Sequence, residues 1–340
     1  MRALARPLTL VALLALPALA RAQTSADLDR FFRSAGLTPQ EVRRAMSGEP
    51  VVHDLVSKDR NEVAIIGIIG SAAKFESARA QLRDVRGWLA RGNGRAAQGL
   101  FSTPAMPSDA AMLRVDKSDL DAFRSCKPGD CNIKLPASSM QEFRAALDWS
   151  RPTVGSDAEA LVRARLARYT NEYRRLGTAA VVEYADTPTP TAAGDVFARL
   201  LADSPYLLEY VPALQRHLRD YPQGTLAGGA DAMVWAVDRL PSLRPITSLV
   251  HAAYYETPDA PLALLGEKQL YASHYFDGAF LLTTLVPRPD GAGSMLIVIR
   301  RLHFDNLPSG GLLNIRGRVV GKLKDALADE LQTRATSLGR

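Results

Sequence analysis

Catalytic signatures are missing from this 340-residue chain. There is no G-x-S-x-G elbow, no H-E-x-x-H, no P-loop, and no G-x-G-x-x-G followed by an acid. Gly92-Asn-Gly94 comes closest to a phosphate cradle, but it ends a helical pattern where a cradle opens one. Cysteine is nearly absent, with only Cys126 and Cys131. Neither follows the amino terminus closely enough to carry a lipid anchor, and no second Cys/His pair exists to complete a zinc cluster. No internal repeat or low-complexity tract is visible. A large charge excess is lacking too: 42 basic against 36 acidic residues leave +6, spread along the chain, which argues against a nucleic-acid partner. No cofactor is implied.

The amino terminus is the clearest positive signal. Arg2 and Arg6 precede an apolar run from Leu8 to Leu19, broken only by Thr9 and Pro17, and Ala20-Arg21-Ala22 supplies a small-x-small cleavage site before Gln23. A run of about a dozen residues is too short to span a bilayer, so residues 1–22 read as a secretory leader cleaved after Ala22. Removing its three arginines brings the charge to about +3. The arginine- and alanine-rich, lysine-poor usage is that of a high-GC bacterial genome, and together with the leader it predicts a periplasmic protein. In that compartment Cys126-Lys-Pro-Gly-Asp-Cys131 reads as a disulfide, with Pro128-Gly129 turning the chain between the sulfurs. A thiol-redox pair normally has two intervening residues rather than four. So short a loop stabilises by about 2 kcal/mol.

An apolar content of 47% predicts a globular core. Residues 25–47 have helical spacing interrupted near Gly36 and Pro39. Val63 to Ile69 is a buried strand, and Phe75 to Leu89 a helix. The middle third reads as helices at Ser118–Arg124, Ser138–Leu147, Asp157–Leu176, Asp195–Ala202 and Pro205–Asp220, with a short strand at Ala180–Tyr184. The third of these helices shows a capping box in Ser156-Asp-Ala-Glu159 and a stop at Gly177. From Asp231 the period becomes two, predicting strands Asp231–Arg239, Ile246–Glu256, Glu267–Phe276, Ala279–Val286 and Ser294–Phe304. Asp277-Gly278 reads as a type I′ hairpin turn. A terminal helix over Leu312–Ala335 carries the stripe Leu312, Ile315, Val319, Leu323, Leu327 and Leu331. Its basic side, Arg316, Arg318, Lys322 and Lys324, is a candidate contact for anionic lipid or simply a solvated face.

This order, with Tyr271-Ala-Ser-His-Tyr-Phe276, Arg301-Leu-His-Phe-Asp305 and Gly310-Gly311 before the last helix, resembles the START-like helix-grip (SRPBCC-type) fold and a family of exported bacterial proteins. The resemblance covers roughly residues 50–95 and 228–336. It implies an α+β fold in which a curved antiparallel sheet wraps a long carboxy-terminal helix, and residues 96–227 would be a helical insertion carrying the disulfide. It also implies a cavity between sheet and helix for a lipid or other hydrophobic or amphipathic small molecule. The ligand-binding candidates are Trp235, Tyr254, Tyr271, His274, Tyr275, Arg301 and Asp305. The aromatics offer apolar area with a polar tip, and Arg301 offers a bidentate clamp for an anion. Core packing and ion pairs are the plainer reading of the same residues. Convergence of His251, His274 and His303 would make a metal site or a general base. The rival functions are an enzyme using His274 or His303 with Arg301, and a module that docks on an envelope protein.

Overall fold

The computed structural model describes residues 26–91, 95–239, 243–308 and 314–339. The leader, the Gly92-Asn-Gly94 stop, Gly310-Gly311 and Leu312 lie outside them. The first helix, α1 (26–34), ends before Gly36, and α2 (Pro39–Met46) starts at a capping box in which Thr38 and Glu41 satisfy each other's backbone amides. β1 (Val51–Asp54) then pairs with β2 (Glu62–Ser71), the expected apolar strand, which is buried along its whole length. The helix expected over 75–89 is two, α3 (Phe75–Arg83) and α4 (Val85–Ala90). Asp84 leaves the helical conformation between them and caps α4 by accepting from the Gly87 amide. β3 (Arg95–Leu100) was not foreseen, because it alternates weakly and lies on the sheet edge.

The middle third contains α5 (Lys117–Ser125), α6 (Ala137–Ala146) and α7 (Val154–Leu176), and the disulfide Cys126–Cys131 closes directly after α5. α7 begins two residues before the predicted capping box, which therefore does not form. Ser156 instead donates to the Thr153 carbonyl, and Glu159 pairs with Arg163. Gly177 does end α7, at φ +60°, where a side chain would run into the Tyr221 carbonyl. The strand expected at 180–184 shrinks to β4 (Glu183–Tyr184), paired only with β5 (Thr191–Ala192). α8 (Ala193–Ala202), α9 (Pro205–Tyr210) and α10 (Pro212–Asp220) follow, the last two separated where Pro212 breaks the helix.

β6 (Ala230–Asp238), β7 (Ile246–Glu256), β8 (Ala263–Ala272), β9 (Phe276–Pro287) and β10 (Ser294–Phe304) complete an eight-stranded antiparallel sheet, ordered β1-β2-β10-β9-β8-β7-β6-β3. Asp277-Gly278 is not a turn. The chain reverses at Ser273–Tyr275, with Tyr275 at φ +65°, and Gly278 sits inside β9 opposite His303. A Cβ on Gly278 would meet Val196 at 2.8 Å, so this glycine admits α8 onto the sheet.

The molecule is thus α+β, with a large antiparallel sheet and a carboxy-terminal helix, α11 (Ile315–Leu338). α11 lies over β2 and β1 beside α3. Only the carboxy-terminal part of its predicted stripe is fully buried, at Leu327 and Leu331. Leu323 and Val319 are half-buried and Ile315 is exposed. The opposite sheet face carries α1, α2, α8, α9 and α10, through Phe32, Ile66, Ile68, Phe197, Leu214 and Phe280. α7 covers the β6 end of that face, packing with Trp235, Leu249 and Leu270, and α5 and α6 form a further small core around Phe123 and Phe143. No helix of the described residues is long and apolar enough to cross a membrane.

Candidate functional site

The space expected between the sheet and the terminal helix is closed at its centre. Gly67 in β2 has no side chain, and Leu327 and Leu331 fill that gap so closely that a Cβ there would meet them at 2.7–2.9 Å. One cavity of about 470 Å³ lies on the opposite face between the far end of the sheet and α5, α6 and α7, and a charged cleft of similar volume lies beside Lys58, Arg60 and Arg199. The walls of the first are apolar over much of their area: Phe123, Leu135 and Phe143 from the disulfide-bearing segment, Val162 and Leu166 from α7, and Tyr271 from β8. Asp119, Ser139, Arg165, Glu172 and Thr247 interrupt them.

Local structure explains why these side chains converge. Tyr169 on α7 donates to the Leu270 carbonyl at 2.8 Å and accepts from the Val182 amide at 3.2 Å, which ties α7 to β8 and to the segment before β4. Tyr184 accepts from the Ala272 amide at 2.9 Å, and Lys134 donates its own amide to the Ser273 carbonyl at 2.8 Å. Three chain segments therefore stand on the carboxy-terminal end of β8 and the residue after it. The Arg165 guanidinium pairs with Glu142, donates to Ser139 and rests against the Phe143 ring, and burial lowers its pKa. Burial pushes the Tyr271 and Tyr169 phenols up, so both remain neutral hydrogen-bonding groups. A cavity with aromatic walls, two arginines and a few neutral or acidic acceptors suits a molecule with an apolar body and a polar end.

Of the residues singled out from sequence, Tyr271 lines this cavity. His274 stands just behind its wall, buried, with Nε2 at 2.9 Å from Asp119 Oδ1. The others are dispersed. Trp235 is buried and donates Nε1–H to the Asp109 carbonyl at 2.9 Å. Tyr254 faces the α11 side and donates to Glu256. Tyr275 accepts from the Arg244 amide at 2.9 Å. Arg301 is not free to clamp an anion: it is buried against Glu62 at 2.6 Å. Asp305 is 3.8 Å from Lys134, whose ammonium also meets Asp277 at 2.8 Å and Asp186 at 3.3 Å. Burial raises the Asp305 pKa against the pull of Lys134.

His251, His274 and His303 do not converge, because each meets a different carboxylate. His303 stands 3.2 Å from both Asp59 and Asp277, and it lines a second, charged cleft with Lys58, Arg60 and Arg199. Burial opposes its protonation, but the two acids outweigh burial and raise its pKa. The basic side of α11 is partly engaged as well, since Arg316 donates to the Arg60 and Glu62 carbonyls and Lys324 pairs with Asp54. Sequence reading missed the wall residues Asp119, Arg165 and Tyr169, which lie on helices where nothing local distinguishes them from ordinary polar positions. No protein-family model matches the chain, and no curated protein matches it.

Proposed function

We propose that the protein is an exported carrier that holds a lipid-like or other amphipathic small molecule in the cavity between α5–α7 and the sheet. The observation that carries this reading is the cavity of about 470 Å³, aromatic and aliphatic with a half-buried arginine at its edge. A volume in this range accommodates a small ligand, and walls of this kind bury its apolar part while a few polar groups orient the rest. The apolar body lies against Phe143, Val162, Leu166 and Tyr271, and the polar end meets Arg165 or Asp119. The disulfide supports export to an oxidising compartment, where the leader would direct the chain. Five consecutive antiparallel strands followed by a long helix support the helix-grip reading, in which the sheet curves around α11. On that reading the ligand space has moved from the helix side of the sheet to the side covered by the middle third.

The test is native mass spectrometry and organic extraction of the chain purified from periplasm, beside the variant Val162→Trp. The wild type should retain a small molecule of lipid-like polarity, and the filled cavity should lose it while the thermal midpoint stays near its original value. A wild-type protein that is empty, and that binds neither fatty acids nor an apolar fluorophore, would overturn the proposal.

A further inference from the structure

We propose that His217, Asp231 and His251 form a site for a first-row divalent transition metal such as zinc. Asp231 and His251 are neighbours on one face of the sheet, since Asp231 lies two residues from Met233, the cross-strand partner of His251. His217 comes from α10, which settles closely because Gly266 in β8 leaves room for Leu218 and Leu214. The three candidate ligand atoms all lie within 4.8 Å of one another. Both Nε2 atoms point at the same carboxylate oxygen, Asp231 Oδ1, at 2.7 Å from His217 and 2.8 Å from His251.

Proton positions make this convergence informative. The Gly224 carbonyl is 2.6 Å from His217 Nδ1 and can only accept, so Nδ1 carries a proton. A neutral His217 then presents the lone pair of Nε2 to a carboxylate oxygen. That arrangement is relieved by a second proton on Nε2 or by a cation between the two atoms. His251 Nδ1 lies 3.0 Å from Tyr173 Oη, a hydroxyl that can accept from it and so leave the Nε2 lone pair facing Asp231. Two histidines anchored from behind through Nδ1, with both Nε2 atoms facing one carboxylate, are the arrangement of metal-ligating imidazoles and their supporting partners. Ligands about 2.0–2.1 Å from a tetrahedral ion stand about 3.3 Å apart, so binding requires each Nε2–Oδ1 distance to open by about half an ångström.

The surroundings favour an open site. The Asp231 side chain keeps about a third of its surface in solvent, leaving a direction for water or a further ligand. Stacked Tyr173 and Tyr221 brace the His251 ring. Lys268, a cation on the adjacent strand, turns its ammonium to Thr178 Oγ1 and the Leu218 carbonyl. His251 is four residues from the cavity-lining Thr247 along β7, about 13 Å, so this proposal stands independently of the ligand cavity.

The experiment uses the full chelator-stripped chain, titrated with Co²⁺ and then Zn²⁺. One equivalent of Co²⁺ should bind with visible d–d bands that Zn²⁺ abolishes, and Zn²⁺ should raise the thermal midpoint. Asp231→Asn should weaken Zn²⁺ binding by at least about 100-fold, and Tyr173→Phe, which removes a supporting group, by about 10-fold. Histidine-ring ¹⁵N spectra of the wild type need no variant to fold: Zn²⁺ should shift two Nε2 resonances and leave the other rings unmoved. A wild type without stoichiometric Co²⁺ or Zn²⁺ binding, with a doubly protonated His217 ring at neutral pH, would reduce the cluster to an imidazolium–carboxylate pair and overturn the proposal. Unchanged affinity in Asp231→Asn would do so as well.

Discussion

The two faces of the sheet are built from alternate residues of the same strands, yet they do different things. On the α11 face, Ile65, Ile69, Leu265, Leu296 and Val298 meet Leu82, Leu327 and Leu331, and Gly67 lets the terminal helix approach until little space remains. The opposite face carries Ile66 and Ile68 beside the buried Arg301–Glu62 pair at its β2 end, and His251, Lys268 and Tyr271 occupy it toward β7 and β8. The helices α7 and α10 reach this region through hydrogen bonds of Tyr173 with His251, of Tyr169 with the Leu270 carbonyl and of Lys268 with the Leu218 carbonyl, and α7 leaves a cavity beside Tyr271. Aliphatic alternation thus gives close packing, whereas interspersed polar groups hold helices at fixed points and leave room between them.

Arg300 and Arg301 condense this comparison into two adjacent residues. Arg300 faces α11 and pairs with Glu330, which Arg334 also holds at 2.7 Å; Arg301 faces the other way and pairs with Glu62. Arg301→Ala would leave Glu62 buried without its cation and should cost about 3–5 kcal/mol in urea unfolding. Arg300→Ala should cost clearly less, because Arg334 remains on Glu330. Equal losses would show that the two faces do not differ in this respect.

Packing gives the next largest contrast. Leu327→Ala removes a fully buried side chain from the closed face and should cost about 2–5 kcal/mol. Leu166→Ala, at the cavity wall, should cost less, since part of that side chain already borders empty space. If chemical denaturation ranks the pair the other way, the cavity is filled or collapsed in solution.

A pH dependence distinguishes two glutamates. Glu330 is held down to about 2, against the effect of burial, by Arg300 and Arg334, whereas burial pushes Glu267 up to about 7. The Glu330 contribution is present above the unfolded value of about 4.5 and is lost as pH falls toward 2. Glu267 acts in the opposite sense. Between pH 4.5 and 7 the unfolded chain has released its proton and the folded chain has not, so stability declines as pH rises through that window. Glu267→Gln should therefore stabilise the protein at pH 8 by up to about 3 kcal/mol and have little effect at pH 4. Equal effects at both pH values would contradict the assignment.

The smallest effect concerns the roof of the cavity. Replacing both cysteines by serine should cost about 2 kcal/mol. It should weaken retention of a bound molecule more than Leu327→Ala does, because the bridge stiffens the α5 segment and not the closed face. Loss of stability without loss of retention would place the ligand elsewhere.

Periodicity and composition determined most of the elements. β7 and β10 have the bounds that alternation predicts, and the cysteine spacing yields the disulfide. These features depend on neighbours within a few residues, which a linear chain displays. The errors were local signals overridden by contacts from far along the chain: Asp277-Gly278 became strand because α8 presses on it, and the Ser156 box gave way to an earlier helix start. Side-chain partnerships were out of reach for the same reason. His251 faces His217 and Asp231 where three histidines on three strands suggested another grouping, and Arg301 is occupied by Glu62, more than two hundred residues away in the chain. Strand patterns specify which face a residue takes, but only the packed helices determine which polar group it meets there, since burying an unpaired polar or charged group is too costly to persist.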